Sequence, residues 1–210
     1  MESTLYKALK AFPGANGNEA NLPAEFEKIA EAAFFSGYFL VNGGTEDEYR
    51  LKLTCIEFYY HEDEGNIKDP KKYLKGKDEF GYALGAVCPN PSGVDVLFDD
   101  PDKKYHASFL IRGYKAIQKG KPDWENNVKK PDWAPQDFWY DLFGGADMLR
   151  TGRFSIEWVD EPEETTDSLE PMERIGLHDE RMWGYKRIRA TDKTFVNGIH
   201  PMKDRIDSNR

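Results

Sequence analysis

The chain has 210 residues, a formal net charge of -9 and 14% aromatic residues, which suits one domain with a sizeable, aromatic-rich core. That charge gives no overall attraction to nucleic acid. No apolar run approaches the ~18 residues of a membrane-spanning helix, and the opening MESTLYKALKAFPGANG lacks the continuous apolar region of a secretory leader.

The charge is unevenly placed. Residues 157–173, EWVDEPEETTDSLEPME, hold eight acids and no base; removing them from the 38 acids leaves 30 against 29 bases. This segment reads as a solvated acidic loop. Two basic clusters, KDPKKYLKGK at 68–77 and RGYKAIQKGK at 112–121, read as ordinary solvated loops or as a site for a polyanion.

Residues 1–22 read as an irregular lead-in, because FPGANGNEANLP is rich in turn formers. Pro23 suits the first turn of a helix. Phe26, Ile29, Ala30, Ala33 and Phe34 keep helical spacing up to Gly37. YFLVNGG reads as a strand entering a turn. YRLKLTCIEFYYHE, 49–62, is the longest strand. Its positions Leu51, Leu53 and Cys55 alternate with Arg50, Lys52 and Thr54. Continued parity places Glu57 and Tyr59 on the core-facing side. From Ile56 onward both faces are apolar, so the strand enters the interior there.

PNPSG follows as a turn and VDVLF as a short strand. HASFLIRGYKA is a strand with Ala107, Phe109 and Ile111 on one face and Ser108, Leu110 and Arg112 on the other. KPDW at 121 and again at 130 marks a long loop pinned by Trp124 and Trp133. QDFWYDLF is a short helix, RFSIEWV a strand, and ERIGL and YKRIRA close the core. The pattern is α+β with a mixed or antiparallel sheet. One domain spans 23–191, between the lead-in at 1–22 and a polar tail at 192–210.

The commonest catalytic signatures are missing: no Gly-rich phosphate loop, HExxH, paired CxxC or GxSxG elbow occurs. HEDE at His61 has no second ligand at a recognisable spacing, so no metal site is expected. Cys55 and Cys88 read as free thiols of a reducing, cytoplasmic protein. Glu57, between Ile56 and Phe58, is the informative residue. A carboxylate is rarely buried unless paired or used. Burial raises the proton affinity of such a group, which suits a general base. Arg112 breaks an apolar strand in the same manner and is its natural partner. A structural ion pair and an active site both fit these residues.

Four blocks, in order, resemble the alkyladenine (3-methyladenine) DNA glycosylases. IAEAAFFSGYFLVNG is similar to that family's opening helix and strand. IEFYYHEDE is similar to its catalytic strand, with a Glu, a Tyr two residues on, and a polar loop. FLIRGYKA is similar to its buried strand ending Leu-Leu-Arg-Ala. ERIGL, MW and YKRIRA are similar to its closing Pro-Arg-Ile-Gly segment, Trp and strand. The resemblance implies a single α+β domain around a curved, mainly antiparallel sheet with a few flanking helices. It also implies base excision repair of double-stranded DNA, in which a damaged purine is flipped into a pocket.

In that scheme Glu57 activates the water that attacks C1′ and Arg112 sits beside it. Tyr59 stacks on the base, and no metal or cofactor takes part. Lys71, Lys72 and Lys75, on the loop after the catalytic strand, are then the candidate phosphate contacts. The chain departs from the family in having no His between His61 and His106 and no aromatic tip on the LGAVCPNPSGVDVLF hairpin.

Two other readings remain. A non-catalytic module on the same fold would hold a nucleobase-like or other small ligand. Alternatively Asp95, in SGVD, is a substrate-binding or second catalytic carboxylate beside Glu57, as in sugar hydrolysis.

Overall fold

The computed structural model describes residues 2–46, 48–69, 84–90, 93–100, 102–118, 124–126, 155–174 and 181–189. The KPDW segments apart from Trp124, the QDFWYDLF helix, Ile175–Leu177 of ERIGL and the tail from Asp192 lie outside them.

The lead-in is helical where the sequence reads as irregular. Helix α1, Thr4–Ala11, starts at Ser3, whose side chain accepts from the Tyr6 N–H. Such a cap satisfies one of the free N–H groups of the first turn. Leu5 and Leu9, one turn apart, bury its inner face. The turn-rich residues that follow do not loosen this segment, because Phe12 and Ala15 are also buried. Phe12 packs against Phe26, Phe98, Tyr60 and Tyr105. The hydroxyl of Tyr60 accepts from the Ala15 N–H at 3.1 Å.

Helix α2, Leu22–Phe35, carries Pro23 in its first turn and buries Phe26, Ile29, Ala30, Ala33 and Phe34, as their spacing predicts. It stops at Ser36, whose hydroxyl donates to the Ala32 carbonyl at 2.6 Å.

Among the described residues nine strands form one sheet: β1 Gly37–Val41, β2 Tyr49–Glu62, β3 Leu84–Asn90, β4 Gly93–Phe98, β5 Tyr105–Gln118, β6 Trp124–Asn126, β7 Ile156–Asp160, β8 Ser168–Met172 and β9 Gly184–Ile188. The main path runs β3-β4-β5-β2-β1-β7, with β6 on β5, and β9 joining β2 to β8. Every pairing among the described residues is antiparallel. The architecture is therefore α+β with an open, antiparallel sheet.

The centre is the pair of 14-residue strands β2 and β5. β5 runs along one edge of β2. The other edge takes β1 at Tyr49–Leu51 and then β9 at Cys55–Glu57. β2 and β5 bury both faces over much of their length, which is why neither reads as simple alternation.

The register between them is broken twice. Leu53 faces Tyr114, Cys55 faces Gly113, and Ile56 faces Ile111. Thr54 on β2 and Arg112 on β5 are thus skipped, as at β-bulges. An extra residue shifts side-chain parity. The core takes Leu51 and Leu53 before the break and Ile56, Phe58 and Tyr60 after it. This corrects the expected parity: Glu57 and Tyr59 lie on the face opposite the main core, although both are buried. Phe58, on the core side, stacks on Phe26 of α2 with centroids 4.3 Å apart.

The acidic segment is only partly the expected loop, which spans 161–167. It supplies β7 and β8 and is held by cations from neighbouring elements. Glu163 lies 2.5 Å from Lys52 Nζ and 2.6 Å from Arg187 Nη2. Asp167 meets Arg187 Nε and Glu170 meets Lys186 Nζ, each at 2.6 Å. Asp160 accepts from the first N–H of α1, Thr4, at 2.9 Å. The basic run at 112–121 is likewise strand as far as Gln118. No helix among the described residues is long and apolar enough to cross a membrane.

Candidate functional site

Glu57 is 0% exposed. Its Oε2 lies 2.9 Å from Arg112 Nε and accepts from the Tyr59 hydroxyl at 3.2 Å. The arginine contact is a close charge pair. The structure thus brings together three of the residues singled out from sequence: Glu57, Tyr59 and Arg112. Two local features make this possible. Tyr59 follows Glu57 by two residues on one strand, so the side chains share a face. Arg112 lies two residues beyond Leu110, the cross-strand partner of Glu57, and so shares its face.

Asp95 belongs to the same transverse row. It faces Leu110 on β5, and Leu110 faces Glu57 on β2. Cross-strand partners share a face, and strands sit about 4.8 Å apart, so the Asp95 and Glu57 backbones are separated by roughly 10 Å. Asp95 acts electrostatically on Tyr59. Cys88 continues the row on β3, opposite Asp95. Lys71, Lys72 and Lys75 lie outside the described residues.

The site's charges reinforce one another. Burial raises the Tyr59 pKa, and the Glu57 carboxylate raises it further. Tyr59 therefore stays a neutral hydrogen-bond donor at any physiological pH. Burial weakens the Arg112 cation, but the carboxylate of Glu57 more than offsets this and its pKa is raised. The Cys55 thiol is pushed up to about 12, by burial first and by Glu57 second. It is free and remains a thiol, with its Sγ 3.8 Å from Met172 Sδ. A thiolate nucleophile is thereby excluded at Cys55.

Sequence reasoning missed Arg174 and Asp69. Their side chains are 0% exposed, and Arg174 Nη1 lies 2.5 Å from Asp69 Oδ2. The guanidinium sits 5.0 Å from the Tyr59 ring centroid and 5.1 Å from that of Trp183. Asp69 sits within the lysine-rich run that reads as surface, and 105 residues separate it from Arg174. Only the pairing of β8 with β9, and of β9 with β2, brings them together. A signal was present nonetheless: Arg174 lies in ERIGL, beside the apolar Ile175, in a segment that reads as closing the core.

His61 and His106, cross-strand partners, occupy the far end of β2. His106 is buried, with Asp99 and Asp63 each 3.4 Å from one of its ring nitrogens. Among the described residues no group of three His, Cys, Asp or Glu is placed to hold a metal ion.

Compared with protein-family models, curated proteins and solved structures, the chain has no match in any of the three.

Proposed function

We propose that the chain hydrolyses an N-glycosidic bond, with a damaged purine nucleotide of double-stranded DNA as substrate and Glu57 as general base. One observation carries the reading: a fully buried carboxylate, Glu57, held at one oxygen by an arginine and a tyrosine on the sheet face turned away from the main core. Burying that charge is costly, and apolar residues would fill a sheet face at less cost. The four sequence blocks resemble the alkyladenine DNA glycosylases, and that resemblance implies the same grouping of Glu, Tyr and Arg.

In the reaction Glu57 takes a proton from water as the water oxygen bonds to C1′. The C1′–N bond breaks, and the purine leaves with its bonding electrons: a cationic N-alkylated purine departs neutral, an uncharged one takes a proton from solvent, and Glu57 returns its own proton to solvent. Arg112 pairs with Glu57 and orients it. Tyr59 offers a ring face for the base. A nucleotide must leave the duplex to reach such a site, and Lys71, Lys72 and Lys75 are assigned to the phosphates.

A second reading is a binding module that holds a nucleobase-like or other small ligand. The dense engagement of Glu57 Oε2 by Arg112 and Tyr59 favours it, since a saturated ion pair serves as a fixed recognition group. So does the net charge of -9, which works against a polyanion.

The two readings separate in one assay series. Wild-type protein is incubated with duplexes carrying one alkylated, deaminated or etheno purine, and free base and abasic sites are measured. Release from any of them supports the hydrolase. No release, with free purines raising the melting temperature, supports the binding module. Replacing Lys71, Lys72 and Lys75 together by Glu tests the DNA assignment: duplex affinity falls and its salt dependence flattens, because each lost phosphate contact lowers the slope.

A further inference from the structure

We infer that Arg174 is a positioning residue for the Glu57 site, fixing the ring of Tyr59 so that its hydroxyl meets the carboxylate. The catalytic consequence rests on the hydrolase reading above; the geometry does not.

Arg174 brackets Tyr59. Its Nη1 donates to the Phe58 carbonyl at 3.3 Å, on the residue before Tyr59. Its partner Asp69 accepts from the Tyr60 N–H at 3.4 Å, on the residue after. Between these grips the guanidinium lies against the Tyr59 ring itself. On its other flank it meets Trp183, whose carbonyl accepts from the Phe58 N–H at 2.7 Å. One cation thus ties the exit of β8, the entry of β9, the segment after β2 and both backbone neighbours of Tyr59.

A guanidinium suits this task. It is planar, stacks on aromatic faces and stays charged when buried. With the backbone and one ring face held, the hydroxyl is directed to Glu57 Oε2 at 3.2 Å. A base stacking on Tyr59 must then use the opposite face of the ring.

The test is Arg174→Lys, which keeps the charge and removes the planar stack, in protein labelled with 3-fluorotyrosine. The Tyr59 fluorine signal is assigned by its loss in Tyr59→Phe. In the folded variant that signal shifts or broadens, while those of Tyr38 on β1 and Tyr114 on β5 stay. Base release falls in kcat by about 10- to 100-fold, as for a misplaced active-site group, with duplex affinity held. An unmoved Tyr59 signal in folded protein overturns the inference. So does a moved signal with unchanged kcat. A moved signal in a protein whose wild type releases no base leaves the positioning role standing and removes the hydrolase reading. If Arg174→Lys does not fold, Asp69→Asn is read by the same signal. Failure of both to fold makes the pair a purely structural core contact and overturns the inference.

Discussion

Arg112 reaches Glu57, at 2.9 Å, from the position on β5 that the register with β2 skips between Ile111 and Gly113. Strand pairing alone would set Leu110 opposite the carboxylate. Arg112, two residues on from Leu110, shares that face and reaches the carboxylate diagonally. The pair lies beside the break in parity along β2.

That pair should dominate the stability of the site. Arg112→Met leaves a buried carboxylate without its cation, and removing one member of a buried pair commonly costs about 3–5 kcal/mol. Adding Glu57→Gln to Arg112→Met should restore much of the loss, because the remaining group is neutral. Urea unfolding of the two single variants and the double variant checks this. Additive losses would mean that the two side chains do not depend on each other.

The strand junction beside α2 makes a steric prediction. A Cβ added at Gly37 would stand 2.0 Å from the Val159 carbonyl oxygen across the β1–β7 pairing. Gly37→Ala must push the two strands apart, and overpacking of this kind typically costs about 1–3 kcal/mol. A thermal melt equal to that of the wild type would show that this edge yields freely.

Glu163 supplies a pH dependence. Burial raises its pKa, but hydrogen bonds from Arg187 and Lys52 outweigh this and hold it below its ordinary 4.5. A carboxylate depressed on folding adds stability above its unfolded pKa, and that stability is lost as pH falls through the folded value. Glu163→Gln should therefore be less stable than wild type at pH 7, with the gap closing on acidification below about 4.5. A gap that persists unchanged at pH 2 would contradict the assignment.

Cys55 gives a chemical check. With its pKa near 12 and its side chain buried, it should resist iodoacetamide at pH 8 in native protein. Denatured protein should titrate two free thiols, Cys55 and Cys88. A denatured count of zero would mean that the two are bridged.

Much of the fold is legible in the sequence because it rests on local pattern. The helical spacing from Phe26 to Phe34, Pro23 at its start, and the long β-rich run of 49–62 each point to the element found. The pairing of Glu57 with Arg112 is legible for the same reason, since a charge inside an apolar strand demands a partner. The rest depends on contacts between distant residues. Thr54 carries no mark of the bulge, so Glu57 and Tyr59 read as facing the core. Leu5 and Leu9 form too short a stripe to outweigh the turn formers after them. The acids of 157–173 look solvated until Lys52, Lys186 and Arg187 arrive from other strands. Arg174 and Asp69 are hidden in the same way.

The central claim is that Glu57 does chemistry, and Glu57→Gln measures it most directly. The amide keeps the shape and an acceptor for Arg112 and Tyr59, but it cannot take a proton from water. Single-turnover release of an alkylated purine from duplex DNA should fall by about 10² to 10⁴, the usual cost of losing a general base, in a variant that is still folded at the assay temperature. A wild type inert on alkylated, deaminated and etheno purines, together with a Gln variant that melts well below it, would contradict the claim and leave Glu57 as half of a structural ion pair.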